Sequence, residues 1–126
     1  MTHLILLFFA HYLADYTHLS SKWMLDAKRT GSPLEPIMAH ACVHGVLFML
    51  VSVIFCPEKA FIIGAYQILT HFFIDVLKGK MNVWFPSLAS PMNKGHWYIF
   101  GFDQLLHHIV IITIYFYSDN SMPIIP

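Results

Sequence analysis

His71-Phe72-Phe73-Ile74-Asp75-Val76-Leu77-Lys78 decides how this chain is read. The segment lies inside an apolar run from Ala60 to Leu77 that is long enough to cross a bilayer, yet it carries ionisable side chains at i, i+4 and i+7. A helix stacks those three positions on one face. An ionised group at mid-bilayer costs roughly 2.5–3.5 kcal/mol on insertion scales, so a helix keeps one there when it faces a partner, a metal or water. The i, i+4 spacing returns in every other apolar stretch, as His11 and Asp15, His40 and His44, and Asp103 and His107.

Composition agrees with a membrane setting. Hydrophobic side chains make up 57% of the 126 residues and charged ones 11%, against about 25% charged in soluble domains; mean hydropathy is +0.61. The expected fold is all-α. It is a polytopic membrane protein of one domain, residues 1–126, with a bundle of four transmembrane helices at about 2–19, 36–55, 60–77 and 97–117. The formal net charge is zero with His neutral, so no basic surface points to nucleic acid. Cys42 and Cys56 fall too far apart along one expected helix to form a disulfide. The apolar start, Leu4 to Ala14, has no Lys or Arg before Lys22 and so lacks the positive region of a signal peptide; it reads as a retained first span.

The connectors set the expected topology. Ser20 or Ser21 can cap a brief amphipathic helix, Lys22 to Arg29, ended by Thr30-Gly31-Ser32-Pro33; with Trp23, Met24 and Leu25 beside Lys28 and Arg29 it suits the headgroup layer. Cys56-Pro57-Glu58-Lys59 is short enough to make the second and third spans antiparallel neighbours. From Lys80 to Lys94, Pro86, Pro91, Trp84 and Phe85 favour an interfacial loop with broken helix over another span, and the tail from Ser118 to Pro126 reads as irregular. One side of this topology holds Lys22, Lys28, Arg29, Lys78, Lys80 and Lys94, and the other only Lys59. The positive-inside rule then predicts an inner-membrane protein with both termini outside.

In this topology the four polar pairs fall at similar depth in the cytoplasmic half. Two side chains at i, i+4 lie about 6 Å apart along a helix and can hold one ion or adjacent ions. Imidazole and carboxylate are ligands for zinc, manganese or iron, and helical bundles build metal centres from such inward residues. The predicted metal-ligating set is His11, Asp15, His40, His44, His71, Asp75, Asp103 and His107, with zinc the first choice among divalent transition metals and room for one or two ions. Asp75, Asp103, His107 and Lys78 are the predicted catalytic residues, Lys78 facing headgroups or a substrate anion. Gln104 and Thr70 can hydrogen-bond ligands or simply join helices. His18 and His108 can join the face or sit beside it, whereas His3 and His96 fall near span ends.

The succession Leu13-Ala14-Asp15-Tyr16, Trp23-Met24, Lys28, His40-x-x-x-His44-Gly45, Thr70-His71-Phe72-x-Ile74-Asp75-x-x-Lys78 and Asp103-Gln104-x-x-His107 resembles a family of small bacterial and phage integral membrane proteins with a domain of unknown function. The resemblance spans nearly the whole chain. Where that family often has Asp-aromatic-x-x-Gln, this chain has Asp15-Tyr16-Thr17-His18-Leu19. More distantly, the paired His and Asp residues are similar to membrane-bound metal-dependent hydrolases, a name that implies a metal-activated water.

The expected function is a metal-dependent hydrolase acting on a membrane lipid or lipid-linked ester, amide or phosphoester at the inner leaflet. The alternatives are a divalent-ion or proton transport protein, which would need a homo-oligomer, haem ligation by facing His residues, or a non-catalytic accessory protein. Gly-rich phosphate loops, Cys-x-x-Cys pairs and Gly-x-Ser-x-Gly elbows are absent from the sequence.

Overall fold

Five α-helices carry the chain in the computed structural model, which describes residues 1–119: α1 (Thr2–Tyr16), α2 (Lys22–Thr30), α3 (Leu34–Phe55), α4 (Ala60–Trp84) and α5 (Lys94–Asp119). Short 3-10 turns at Pro57–Lys59 and Pro86–Ala89 join the last three. Pro36 sits in the first turn of α3, where a helix has no use for the N–H that proline lacks. At the other end the Cys56 N–H donates to the Ser52 carbonyl, and Pro57 then turns the chain directly into α4.

α3, the segment Pro57–Trp84 and α5 are long and apolar enough to cross a membrane. α1 has 15 residues, about 22 Å at 1.5 Å per residue, which is short of a hydrocarbon core of about 30 Å. It nevertheless packs with the long helices: α1 touches α3 and α5, α3 touches α4, and α4 touches α5. Large apolar side chains such as Phe9, Leu50, Phe61, Phe73, Leu105 and Phe116 face outward.

The buried positions form layers. Along α1 they are His3, Leu7 and His11, with the largely buried Asp15 one turn on; along α5 they are Asp103, His107, Ile111, Ile114 and Ser118. α3 contributes His40, His44, Phe48 and Ser52, and α4 contributes Ile63, Gln67, His71 and Asp75. Leu7, Phe48, Ile63, Ile111 and Ile114 meet in an apolar cluster, and the ionisable residues gather to one side of it. Two close backbone approaches fix the scaffold. A Cβ on Gly45 would lie 2.8 Å from the Gly64 carbonyl, so α3 and α4 meet with no side chain between them. Gly31 has φ of +69°, ends α2, and lies so near α4 that a Cβ on Gly79 would fall 2.1 Å from the Gly31 nitrogen.

Several expected boundaries shift. The first helix ends at Tyr16 instead of near Leu19, because Thr17 is extended and its hydroxyl turns back to the Leu13 carbonyl. α4 runs on to Trp84, past the expected stop near Gly79, since Gly79 serves the contact with Gly31 rather than a helix end. The 80–94 stretch holds broken helix, the end of α4 to Trp84 and the 3-10 turn Pro86–Ala89, and Ser118 belongs to α5; the tail beyond Asp119 lies outside the described residues. α2 is capped by Ser21, as the sequence allows, but it packs on α3 and α4 and buries Ala27. Both cysteines are free.

Candidate metal centre

Helical spacing delivers eight side chains to one end of the bundle. Asp15 stands at its middle: Oδ1 is 3.0 Å from His40 Nε2 and 3.2 Å from His44 Nε2, while Oδ2 is 3.3 Å from His11 Nε2. His71 Nε2 is 3.2 Å from Asp75 Oδ2 and 4.0 Å from Asp15 Oδ1, joining the two carboxylates. His107 Nε2 lies 3.6 Å from both Asp75 Oδ1 and Asp103 Oδ1. The rings crowd accordingly, with His44 and His71 stacked at 3.5 Å between centroids and His71 and His107 at 4.3 Å.

Two subsets have metal-ligand spacing. One ligand atom from each of Asp15, His40, His44 and His71 falls within 4.8 Å of the others, and the same holds for His71, Asp75 and His107. The hydrogen bonding is compatible with a cation held by these groups. His11 Nε2 and His71 Nε2 are buried without a hydrogen-bond partner even though carboxylate oxygens stand 3.3 and 3.2 Å away. They are near in distance but not aligned in angle. A buried unsatisfied polar atom costs about 1–3 kcal/mol, a cost that an ion accepting several lone pairs would remove. Imidazole with carboxylate is a donor set for zinc, manganese or iron. His11 and Asp103 fall outside both subsets and stand beside them, Asp103 accepting from Lys78 Nζ at 3.1 Å and Gln104 Nε2 at 3.2 Å.

Sequence reasoning placed Lys28 among headgroups. In the structure its Nζ enters the cluster, 3.2 Å from Asp15 Oδ1, 3.3 Å from Asp75 Oδ2 and 3.0 Å from His40 Nε2, with 17% of the side chain exposed. Burial opposes its charge, but the carboxylates of Asp75 and then Asp15 outweigh burial and raise its pKa above the ordinary lysine range. Its place in the quoted succession, after Trp23-Met24, is the one signal in the sequence. Ser20, which the sequence offers only as a cap, has its hydroxyl 3.2 Å from His40 Nδ1, holding that ring while Nε2 faces Asp15.

The remaining candidates separate cleanly. Gln104 bonds Asp103 and lies 3.4 Å from the Tyr16 hydroxyl, whereas the Thr70 hydroxyl donates to carbonyls of its own helix. His18 and His108 are exposed, and the His108 ring approaches His11 only at 6.3 Å. His3 is buried elsewhere, its Nδ1 3.1 Å from Ser118 Oγ. His96 Nδ1 donates to the Leu88 carbonyl at 2.7 Å.

Fold and site together define an all-helical protein with membrane-span-like helices and a buried His/Asp cluster able to hold a metal ion. The chain belongs to the family described as protein of unknown function (DUF3307), whose pattern matches residues 3–125. No curated protein and no solved structure matches it.

Proposed function

We propose that this protein is a membrane-embedded metal-dependent hydrolase acting on a lipid or lipid-linked ester, amide or phosphoester. The observation that carries the reading is the buried set Asp15, His40, His44 and His71 beside Asp75 and His107, with unpartnered ligand atoms in both groups. A divalent ion held there would supply Lewis acidity toward a phosphoryl or acyl oxygen and acidify a water molecule. Zinc is the first choice for three imidazoles and a carboxylate, with manganese or iron next.

The protein groups then divide the work. Three carboxylates, Asp15, Asp75 and Asp103, face two ammonium groups, Lys28 and Lys78. With neutral imidazoles the cluster is one negative charge in excess, which suits one divalent ion better than two. His107 Nε2, equidistant from Asp75 and Asp103, can pass a proton between the ligand side and Asp103. Lys78 holds Asp103 in place and presents positive charge toward the substrate.

In the membrane, α1 serves as a fourth embedded helix and α2 lies at the headgroup level while closing the cluster. The basic residues of α2, the end of α4 and the start of α5 favour the cytoplasmic side of the inner membrane for that end, with both termini outside. A C-terminal reporter found in the cytoplasm would reverse this orientation. Leu7, Phe48, Ile63 and Ile111 pack on the far side of the cluster, with the buried Gln67 of α4 between Ile63 and His71. Elemental analysis of detergent-purified protein should find a stoichiometric transition metal that Asp15→Asn removes. Metal-free protein whose activity is indifferent to chelator would overturn the reading.

A further inference from the structure

A cavity of about 290 Å³ opens beside the cluster between α1, α2, α4 and α5. Asp15, Lys28, Lys78 and Asp103 belong to both cavity and cluster, so whatever occupies one reaches the other. The space is several times the roughly 30 Å³ that one water occupies in the liquid. It lies at the low end of the range for small-ligand pockets, about 300–1,000 Å³.

Lys28, Arg29 and Lys78 line it against the carboxylates of Asp15 and Asp103, with Lys28 shared by Asp75 just outside. Arg29 makes no ion pair among the described residues, and the carboxylate that feels its charge is Asp26 on its own helix. Arg29 is held there from its backbone, since Asn82 Nδ2 donates to its carbonyl at 3.1 Å. Lys78 spends one of its three N–H donors on Asp103 and rests 5.0 Å above the Phe100 ring, which leaves donors for a second acceptor. Trp84, Phe85 and Trp97 are exposed at this end of the bundle, as aromatic residues are at the headgroup level.

We infer that this cavity binds a phosphoryl group, with Arg29 and Lys78 as its anion contacts. A guanidinium supplies the forked donors that phosphate oxygens accept, and an ammonium supplies a point charge. The inference names the substrate class of the proposed hydrolase and rests on that reading for its catalytic consequence, while binding can be measured without it.

Calorimetric titration of the full chain in neutral detergent tests it with two probes, inorganic phosphate and dihexanoyl phosphatidylglycerol. Binding of either supports the site. A response to the lipid alone identifies a membrane headgroup as the source, and a response to phosphate alone identifies a free phosphate. Arg29→Gln and Lys78→Gln should each weaken binding by about ten- to a hundredfold, Arg29→Lys should recover part of it, and Lys80→Gln, outside the cavity, should leave it unchanged. If neither probe binds, or if the Arg29 and Lys78 variants bind as the parent does, the assignment is wrong. Metal content of the same preparations separates the two ideas. Anion binding without metal removes the hydrolase and keeps the phosphoryl site, whereas metal without anion binding does the reverse.

Discussion

Replacing Lys28 with methionine keeps most of the side chain's bulk and deletes its charge. In the metal-free protein this leaves Asp15 Oδ1 and Asp75 Oδ2, now 3.2 and 3.3 Å from the ammonium, facing each other's charge with only imidazoles between. At an effective dielectric of about 20, each attraction at that distance is about 5 kcal/mol. Most of that gain offsets dehydration of the ions, and removing one partner of a buried pair costs about 3–5 kcal/mol net. A divalent ion would neutralise the same oxygens, so the loss should shrink in metal-loaded protein. The thermodynamic cycle then requires metal to bind Lys28→Met more tightly than the parent. Full transfer of about 4 kcal/mol would tighten binding about a thousandfold, and partial transfer at least about tenfold. Chelator competition gives the affinities, and thermal unfolding in detergent, with metal or with chelator, gives the stabilities. Equal losses in both conditions, with unchanged metal affinity, would show that ammonium and ion do not share these carboxylates.

Three further outcomes follow from the same geometry. Chelation should lower the thermal midpoint of the parent, because an ion present at about a hundred times its Kd contributes about 2.7 kcal/mol; an unmoved midpoint in scanning calorimetry counts against a bound ion. Asp103→Asn should weaken metal binding about ten- to a hundredfold, as removal of a supporting group does, while Asp15→Asn should abolish it; equal effects on bound metal would contradict this division of roles. Gly79→Leu should drive α2 off α4, since even its Cβ would fall 2.1 Å from the Gly31 nitrogen. Overpacking costs about 1–3 kcal/mol, and hydrogen exchange across Lys22–Thr30 should quicken while the centre of α3 stays protected.

Those tests separate what the sequence makes legible from what only the fold reveals. The all-helical class and the four polar pairs, three His/Asp and one His/His, are readable because a 3.6-residue period puts i and i+4 on one face, and each pair sits in an apolar run that leaves it nowhere else to go. The α3 to α4 connection is readable for a local reason: Cys56 and Pro57 end one helix and start the next. Lys28 is different. Its entry into the cluster depends on Gly31 meeting Gly79, a contact between segments far apart in the chain that no periodicity announces. The same contact explains the misplaced end of α4, where a glycine that resembles a helix stop serves as a close-packing site inside a helix. The end of α1 is set locally too, where Thr17 leaves helical geometry two residues before the expected end near Leu19.

The order of side chains along each helix explains why the cluster faces one way. α1 and α5 run oppositely, yet both pass from a polar end residue, His3 or Ser118, through aliphatic Leu7 or Ile111, to imidazole and then carboxylate. α3 passes from Phe48 to His44 in the same way, but α4 does not: between Ile63 and His71 it buries Gln67, a polar side chain among the aliphatic ones. Of the carboxylates, Asp15 and Asp103 line the cavity that Arg29 and Lys78 also line. α2 spans the boundary between these regions, carrying Lys28 into the cluster and Arg29 into the cavity wall.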